Sequence, residues 1–419
     1  MSWSWIDMTE VSPHDKCTGC SACAAICPKQ AITLAPDEWG FPRVQIDQSL
    51  CIDCGACVKV CPALQEPRRR QRLDEEAFYA AYHRDELVRS SSSSGGAFTA
   101  LAEAVLRNHG AVCGAALSKK DWLVRHVVIE RREELEKLRG SKYAQSRVGD
   151  VFSQVKQRLQ SGQTVLFSGT PCQVAGLHLF LKREYEHLIT VDIVCHGVPA
   201  PGIFVDYVGY MEGQYGAKML DYDFRDKHWS WFRFNMKATF DNGRVYYGKW
   251  EEDKFYRGFL GDYYLREACY SCPYSKHLRY SDITLSDFWG YNRKHGGFKN
   301  DDKGISMVML NTRSGQALFQ QAKKDLVLCE RPRGMSLTNG GFSPREQSLD
   351  ERSRFLAELK KNGFAALSKE AYFAPHEVIF PYNIYYKYGA HSFRTKCILF
   401  LHRLGKPFRR LRKSLFGKK

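Results

Sequence analysis

Cys17-x-x-Cys20-x-x-Cys23-x-x-x-Cys27-Pro28 and Cys51-x-x-Cys54-x-x-Cys57-x-x-x-Cys61-Pro62 are two copies of one thiol pattern. Three thiolates in so tight a loop converge on one corner of a cubic iron-sulfur cluster, and the fourth must come from elsewhere. In two-cluster bacterial ferredoxins the last cysteine of each run serves the other cluster. The spacing therefore predicts one 4Fe-4S site of Cys17, Cys20, Cys23 and Cys61 and a second of Cys51, Cys54, Cys57 and Cys27. Their chemistry would be one-electron transfer. Pro28 and Pro62 lack the backbone donor and disfavour helix in the residue before them, which helps end each ligand loop. Gly19, Ala22, Ala24, Gly55 and Ala56 are small enough for backbone amides to approach the sulfurs and tune the potential.

Structural zinc usually shows separated Cys-x-x-Cys pairs, not triplets followed by a fourth cysteine and a proline. Disulfide frameworks suit short secreted chains, and the start Met1-Ser2-Trp3-Ser4-Trp5-Ile6-Asp7 has no basic stretch leading into an apolar run, so nothing there resembles a signal peptide. A reducing cytoplasm is expected.

A second group of residues could hold an anion. Ser90 to Ser94 and Gly95-Gly96 precede an amphipathic stretch, which brings hydroxyls and backbone amides to a helix N-terminus; by composition alone a flexible loop is the favoured reading. Val165-Leu166-Phe167 then runs into Ser168-Gly169-Thr170-Pro171-Cys172-Gln173, a helix start at a strand end, where α/β folds bind ligands. Two such loops, Ser93-Ser94-Gly95-Gly96 and Ser168-Gly169-Thr170 to Gln173, suit a dinucleotide such as a flavin. Cys172, Cys195 and the pair Cys269-x-x-Cys272-Pro273 could form a third metal site, while ordinary buried cysteines remain the alternative for Cys172 and Cys195. His196 could donate to a flavin, orient a ligand or be structural. Cys113, Cys329 and Cys397 have no partner at ligand spacing and read as structural.

These residues need elements to position them. Ala31 to Leu34 and Val44 to Asp47 read as short strands of a compact module, and Gln65 to Arg72 as a linker. A new domain begins near Ala77. Strands are expected at Phe78–Tyr82, Ala111–Leu117, Thr164–Ser168, Leu188–Cys195, Ile283–Phe288 and Ser306–Asn311, with helices at Gly96–Asn108, Val148–Leu159 and Gln173–Leu181. Asp241-Asn242-Gly243 between Phe232–Phe240 and Arg244–Trp250 signals a hairpin. The fold class is α+β: a bacterial-ferredoxin-like two-cluster domain (1–66), an α/β flavin-binding domain (77–330) and a mainly helical, basic appendage (331–419).

The chain has 419 residues and a formal charge of +16, too long for a ferredoxin alone. No apolar run reaches the roughly 18 residues of a membrane-spanning helix. Residues 391–419 carry ten Lys and Arg and no acid, interleaved with leucines and phenylalanines. That tail could contact an anionic membrane surface, placing the protein at the inner face of the membrane, or be a solvated terminus. No nucleic-acid partner is expected; only the charge favours one.

Ser92-Ser93-Ser94-Gly95-Gly96, Leu138-Arg139-Gly140-Ser141-Lys142-Tyr143, Phe167 to Gln173, Cys195-His196-Gly197-Val198-Pro199 and Ser281-Asp282-Ile283-Thr284-Leu285-Ser286-Asp287-Phe288-Trp289-Gly290 resemble the family of coenzyme F-420 hydrogenase/dehydrogenase beta subunits over roughly residues 10 to 310. The resemblance implies an iron-sulfur flavoprotein in which clusters pass electrons to FAD and the flavin exchanges a hydride with a deazaflavin or another organic substrate. It makes the Ser93 to Gly96 loop, Ser141, Lys142 and the Ser168 to Gln173 loop flavin contacts, Arg139, Lys142 and His196 stabilisers of flavin charge, and Cys172, Cys195, Cys269 and Cys272 ligands of a third 4Fe-4S cluster. The branch it is similar to has the ferredoxin module fused in front and often occurs among genes for surface polysaccharides. The expected relay has a ferredoxin-like carrier docking near the first cluster, followed by the second, a proximal cluster and the flavin. A non-catalytic electron-transfer protein docking to a membrane or partner enzyme is the alternative.

Overall fold

The computed structural model describes residues 11–67, 72–291, 296–332, 342, 345 and 348–367. The cysteine-rich start folds as α1 (Ala22–Ile26), β1 (Ile32–Pro36), β2 (Pro42–Ile46) and α2 (Ala56–Lys59), with β1 and β2 antiparallel. The two ligand loops repeat one backbone shape: φ is +65° at Gly19 and +69° at Ser21, and +47° at Asp53 and +65° at Gly55. Each middle cysteine is thus flanked by left-handed residues, which turns three thiols inward.

The body follows as β3 (Arg72–His83), α3 (Glu86–Ser90), α4 (Ala97–Leu106), β4 (Ala111–Leu117), β5 (Val124–Ile129), α5 (Val151–Gln160), β6 (Val165–Gly169), α6 (Pro171–Leu181), β7 (Leu188–Ile193) and α7 (Pro201–Tyr215). Next come β8 (Met219–Asp226), β9 (Asn235–Phe240), β10 (Val245–Lys249), α8 (Lys254–Leu260), β11 (Ile283–Asp287), β12 (Ser306–Thr312), α9 (Arg313–Ala322), β13 (Leu326–Arg331) and α10 (Leu349–Leu367). Eight strands form one sheet in the order β13-β3-β12-β11-β7-β6-β4-β5. Its centre, β4, β6, β7 and β11, is parallel, and the flanks are antiparallel. The central strands are buried on both faces and read as apolar runs such as Val165-Leu166-Phe167, as parallel strands should. β8, β9 and β10 make a separate antiparallel sheet whose β9–β10 turn falls at Asp241-Asn242-Gly243.

One face of the large sheet buries Ala100, Leu101 and Ala104 of α4 with Leu318 and Phe319 of α9. The other buries Phe152 and Val155 of α5 with Val174 and Leu177 of α6, and Cys20, Ala22 and Val60 join the same cluster. The ferredoxin-like module therefore shares a hydrophobic core with the body. The small sheet packs an aromatic core of Phe204, Tyr207, Tyr222, Phe224 and Phe255.

Several elements carried no expectation. α7, β8 and α9 have no counterpart among the expected elements, and β13 extends the sheet to Arg331, so the last strand runs into the stretch expected to begin the helical appendage. Within the appendage α10 is helical, with a break at Gly363 (φ +68°). Cys397 and the basic tail lie outside the described residues.

The Ser281 to Gly290 motif proves to be partly framework. Asp282 is fully buried and accepts from Thr190 N (2.7 Å), Thr190 Oγ1 (2.7 Å) and Thr312 Oγ1 (2.5 Å), tying β7 and β12 to the entry of β11. Asp282→Ala leaves three buried donors unsatisfied and is expected to destabilise the chain by roughly 3 kcal/mol or more. Urea unfolding of the two proteins side by side measures this; equal midpoints would refute it.

Candidate functional site

The eight N-terminal cysteines fall into two sets. Cys27, Cys51, Cys54 and Cys57 border one small pocket with Ile32, Ile46 and Gly55. Cys23 has Cys20, Cys17 and Cys61 as its charged-thiol neighbours, so each fourth cysteine crosses to the other run. Burial pushes the Cys20 thiol up to about 12, with Cys61 and Cys17 adding to it. Surroundings that oppose a bare thiolate suit one whose charge is shared with iron. Among the described residues no three His, Cys, Asp or Glu lie at the spacing of a single ion's ligands. A cubane, larger than one ion, holds its thiolates farther apart.

The two sets differ in exposure. Cys54 is exposed, and beside it Leu50 (48 %) and Ile52 (55 %) present apolar surface. The Cys17 set faces inward: a Cβ on Gly176 of α6 would lie 2.8 Å from Cys20 Sγ. The set that comes second along the chain is thus the outer one.

Cys172, Cys195, Cys269 and Cys272 also converge. Burial raises the Cys172 thiol well above its usual range, and Cys272, Cys195 and Cys269 all lie close enough to add to the shift. Thr170 Oγ1 lies 3.2 Å from Cys172 Sγ, and Val198 N donates to Cys269 Sγ at 3.5 Å. Tyr274 lies between this set and the inner one: it is buried, its hydroxyl donates to Pro62 O at 2.8 Å, and both Cys172 and Cys20 act on it electrostatically.

Next to Cys195 opens a cavity of about 710 Å³ over the carboxyl ends of β6, β7 and β11, where parallel sheets bind ligands and of a size typical of cofactor sites. Ser93, Ser94, Gly96, Ser141, Lys142, Ser168, Gly169, Thr170, Gln173 and His196 all border it. Several of their polar groups are already engaged. Ser141 N donates to Ser93 Oγ (2.6 Å), joining two loops, and Ser94 Oγ donates to Ile305 O (2.9 Å). Thr170 and Gln173 form the capping box of α6, and Gln173 Nε2 donates to Ser146 Oγ (3.0 Å). Gly95 stands behind the wall rather than in it: a Cβ there would lie 2.3 Å from Ala81 O. His196 has Arg345 Nη1 2.7 Å from Nδ1 and Asp262 Oδ1 2.8 Å from Nε2, so both nitrogens are held by side chains.

Other lining residues gave no sequence signal. Arg225, buried, bonds Asp287 Oδ2 at 3.0 Å and lies 3.8 Å over the Phe234 ring. His126 is buried with Nε2 3.0 Å from Ser168 O, and burial holds it down to about 4. A carbonyl only accepts, so Nε2 carries the proton and Nδ1 offers a lone pair. His126 Nδ1, Trp250 Nε1 and Arg257 Nη2 are buried without hydrogen-bond partners among the described residues, and all three side chains border the cavity. A ligand offering both donors and acceptors would satisfy them; the pyrimidine edge of a flavin does. Arg139 and Lys142 border the same cavity.

Models of the N-terminal and C-terminal parts of the coenzyme F420 hydrogenase/dehydrogenase beta subunit match residues 78–153 and 162–333, together more than half of the chain. The chain belongs to this family. Two 4Fe-4S dicluster domain models match residues 16–64 and 43–94, placing the family's body behind an iron-sulfur module. One of the subunits of the F(420)H(2) dehydrogenase of Methanosarcina mazei is 21 % identical over 192 residues, 44 % of this chain and 54 % of that protein. The match thus spans about half the length of that curated relative. A chain of the xenon-derivatised F420-reducing [NiFe] hydrogenase complex of Methanosarcina barkeri aligns with 71 % of this chain and 94 % of its own length, at 17 % identity and a TM-score of 0.41. Among the described residues no helix is long and apolar enough to cross a membrane.

Proposed function

We propose that this family member is an iron-sulfur flavoprotein that relays electrons from a ferredoxin-type carrier to a flavin serving a deazaflavin or another organic substrate. One observation carries the reading: the thiol sets and the cavity lie in an unbroken series. Cys54 is at the surface, Cys20 presses on Gly176, Cys172 lies one turn earlier on the same helix in the third set, and Cys195 of that set borders the cavity. When bound, the clusters supply one-electron steps and the flavin couples them to two-electron chemistry.

The chain's own residues bind, orient and shield. Arg139 and Lys142 attract phosphate, His126 Nδ1 accepts a hydrogen bond from the ligand, and Trp250 Nε1 and Arg257 donate. Phe234, Tyr256 and Phe259 form an apolar wall that keeps water from the reacting face. Leu50 and Ile52 offer an apolar footing for the carrier. The substrate class, including one from surface polysaccharide synthesis, is tested by offering a deazaflavin and sugar-linked acceptors to the reduced protein. Anaerobic purification with iron, sulfide and flavin analysis tests the assignment: about twelve irons and one FAD per chain are expected, and colourless protein lacking acid-labile sulfur would overturn it.

Lys142 makes the cavity pH-sensitive. Its ammonium, half-buried at the cavity wall, donates to Arg139 O (2.7 Å) and Lys137 O (3.2 Å), and burial lowers it to about 7, with Asp223 opposing the shift. An anionic ligand favours the charged form, so binding takes up a proton near and above that value. Affinity for FAD is expected to be level below about pH 7 and to weaken by up to about tenfold per unit above it. Lys142→Met should flatten this dependence; an unchanged profile in flavin titrations would refute it.

A further inference from the structure

Arg266 is 1 % exposed and stands at the start of the turn that carries Cys269. Its Nε donates to Cys17 O (2.5 Å), Nη1 to Gln145 Oε1 (3.0 Å), and Nη2 to Pro42 O (3.1 Å) and Cys17 Sγ (3.4 Å). The guanidinium also lies 5.4 Å over the Phe41 ring. Every one of these partners is uncharged, and among the described residues no carboxylate pairs with it. The adjacent Glu267 is held by Arg43 (2.6 Å) and Arg352 (3.0 Å), and Asp37 by Arg43 (2.8 Å). Three guanidiniums thus face two carboxylates. A buried charge without a counter-charge is strongly disfavoured, and the group Arg266 touches is the inner cysteine set. Gly19, at φ +65°, leaves room for the contact: a Cβ there would lie 2.9 Å from Nη1.

We propose that Arg266 is the fixed counter-charge of the inner cluster, raises its reduction potential above that of the outer cluster, and so drives electrons inward toward the cavity. This rests on the reading of both cysteine sets as 4Fe-4S sites. A cubane with four thiolates is anionic and gains one more negative charge on reduction, so a nearby buried cation favours the reduced form. The charged side chains at the outer set are Lys29 and Asp53, opposite in sign and both exposed, where solvent screens them. In the step, the outer cluster is oxidised by one electron and the inner one reduced by one. No bond or proton moves, and the guanidinium keeps its charge.

The test is redox titration of the anaerobically purified, full-length holoprotein, followed by electron paramagnetic resonance. Cys54→Ala assigns the outer cluster's signal. In wild type the inner cluster is expected at the higher potential. In the Cys54→Ala background, Arg266→Gln should shift the inner cluster's reduction equilibrium toward the oxidised form by at least about tenfold, or about 59 mV for one electron. Arg266→Lys, which keeps the charge, should shift it by less. A smaller shift in Arg266→Gln, or an equal shift in Arg266→Lys, overturns the proposal. If Arg266→Gln fails to load iron, the wild-type comparison decides, and an inner cluster at or below the outer one overturns it. Wild-type protein without iron and sulfide would instead defeat the underlying cluster reading.

Discussion

Cys54→Ala protein is expected to hold about four irons fewer per chain than wild type and to slow flavin reduction by a one-electron carrier at least about a hundredfold. Cys54 is the exposed member of its set, and Leu50 and Ile52 beside it form apolar surface. The inner set presses on α6 through Cys20, so a carrier's most direct approach is through the outer pocket. Flavin content should be retained, because no residue of the cysteine-rich module borders the cavity. Photoreduction of the flavin, which bypasses the outer set, should proceed as in wild type. Stopped-flow absorbance at the flavin band separates the two routes. An unaltered carrier-driven rate would mean that electrons enter elsewhere.

Gly176→Val should remove the inner cluster while leaving the outer one in place. Glycine inside a helix costs about 1 kcal/mol relative to alanine, so its presence in α6 calls for a packing reason. The reason is proximity: a Cβ would lie 2.8 Å from Cys20 Sγ and 3.1 Å from Cys20 Cβ. A free cysteine could swing aside, but one tied to a cluster cannot, and a branched side chain there must displace the loop. Iron content is expected to fall by about four per chain and carrier-driven flavin reduction to be lost. Gly209→Ala in α7 is the matched control, since a Cβ there meets nothing within 4 Å. Full iron content in Gly176→Val would show that α6 does not abut the inner cluster.

Much of the sheet could be read in advance. Ala111–Leu117 is a strand over the expected residues, and the hairpin turn falls where Asn-Gly marks it, because left-handed turn residues and apolar runs are local signals. Two elements without an expectation do carry local patterns: β8 alternates, with Tyr222 and Phe224 buried and Asp221 and Asp223 exposed, and α7 buries the face of Ile203, Phe204, Tyr207, Val208 and Met211. Val205, Tyr210 and Tyr215 off that face blur the period of α7. Among the lining residues, Ser93, Ser141 and Lys142 stand in recognisable motifs. Arg225, His126 and Trp250 do not, because each reaches the cavity from an element whose pattern reflects only the strand or turn it belongs to.

Residue order alone supplied the thiols, their grouping into two crossed sets and the kind of electron chemistry they support, since each run is short and its geometry is enforced by nearby backbone. Three-dimensional packing decided which set faces solvent and which faces the body. It also placed Arg266, 249 residues along the chain from Cys17, against the inner thiols, with no carboxylate paired to it among the described residues. Burial and electrostatics sum over neighbours in space, and no spacing rule along the chain records which neighbours those will be.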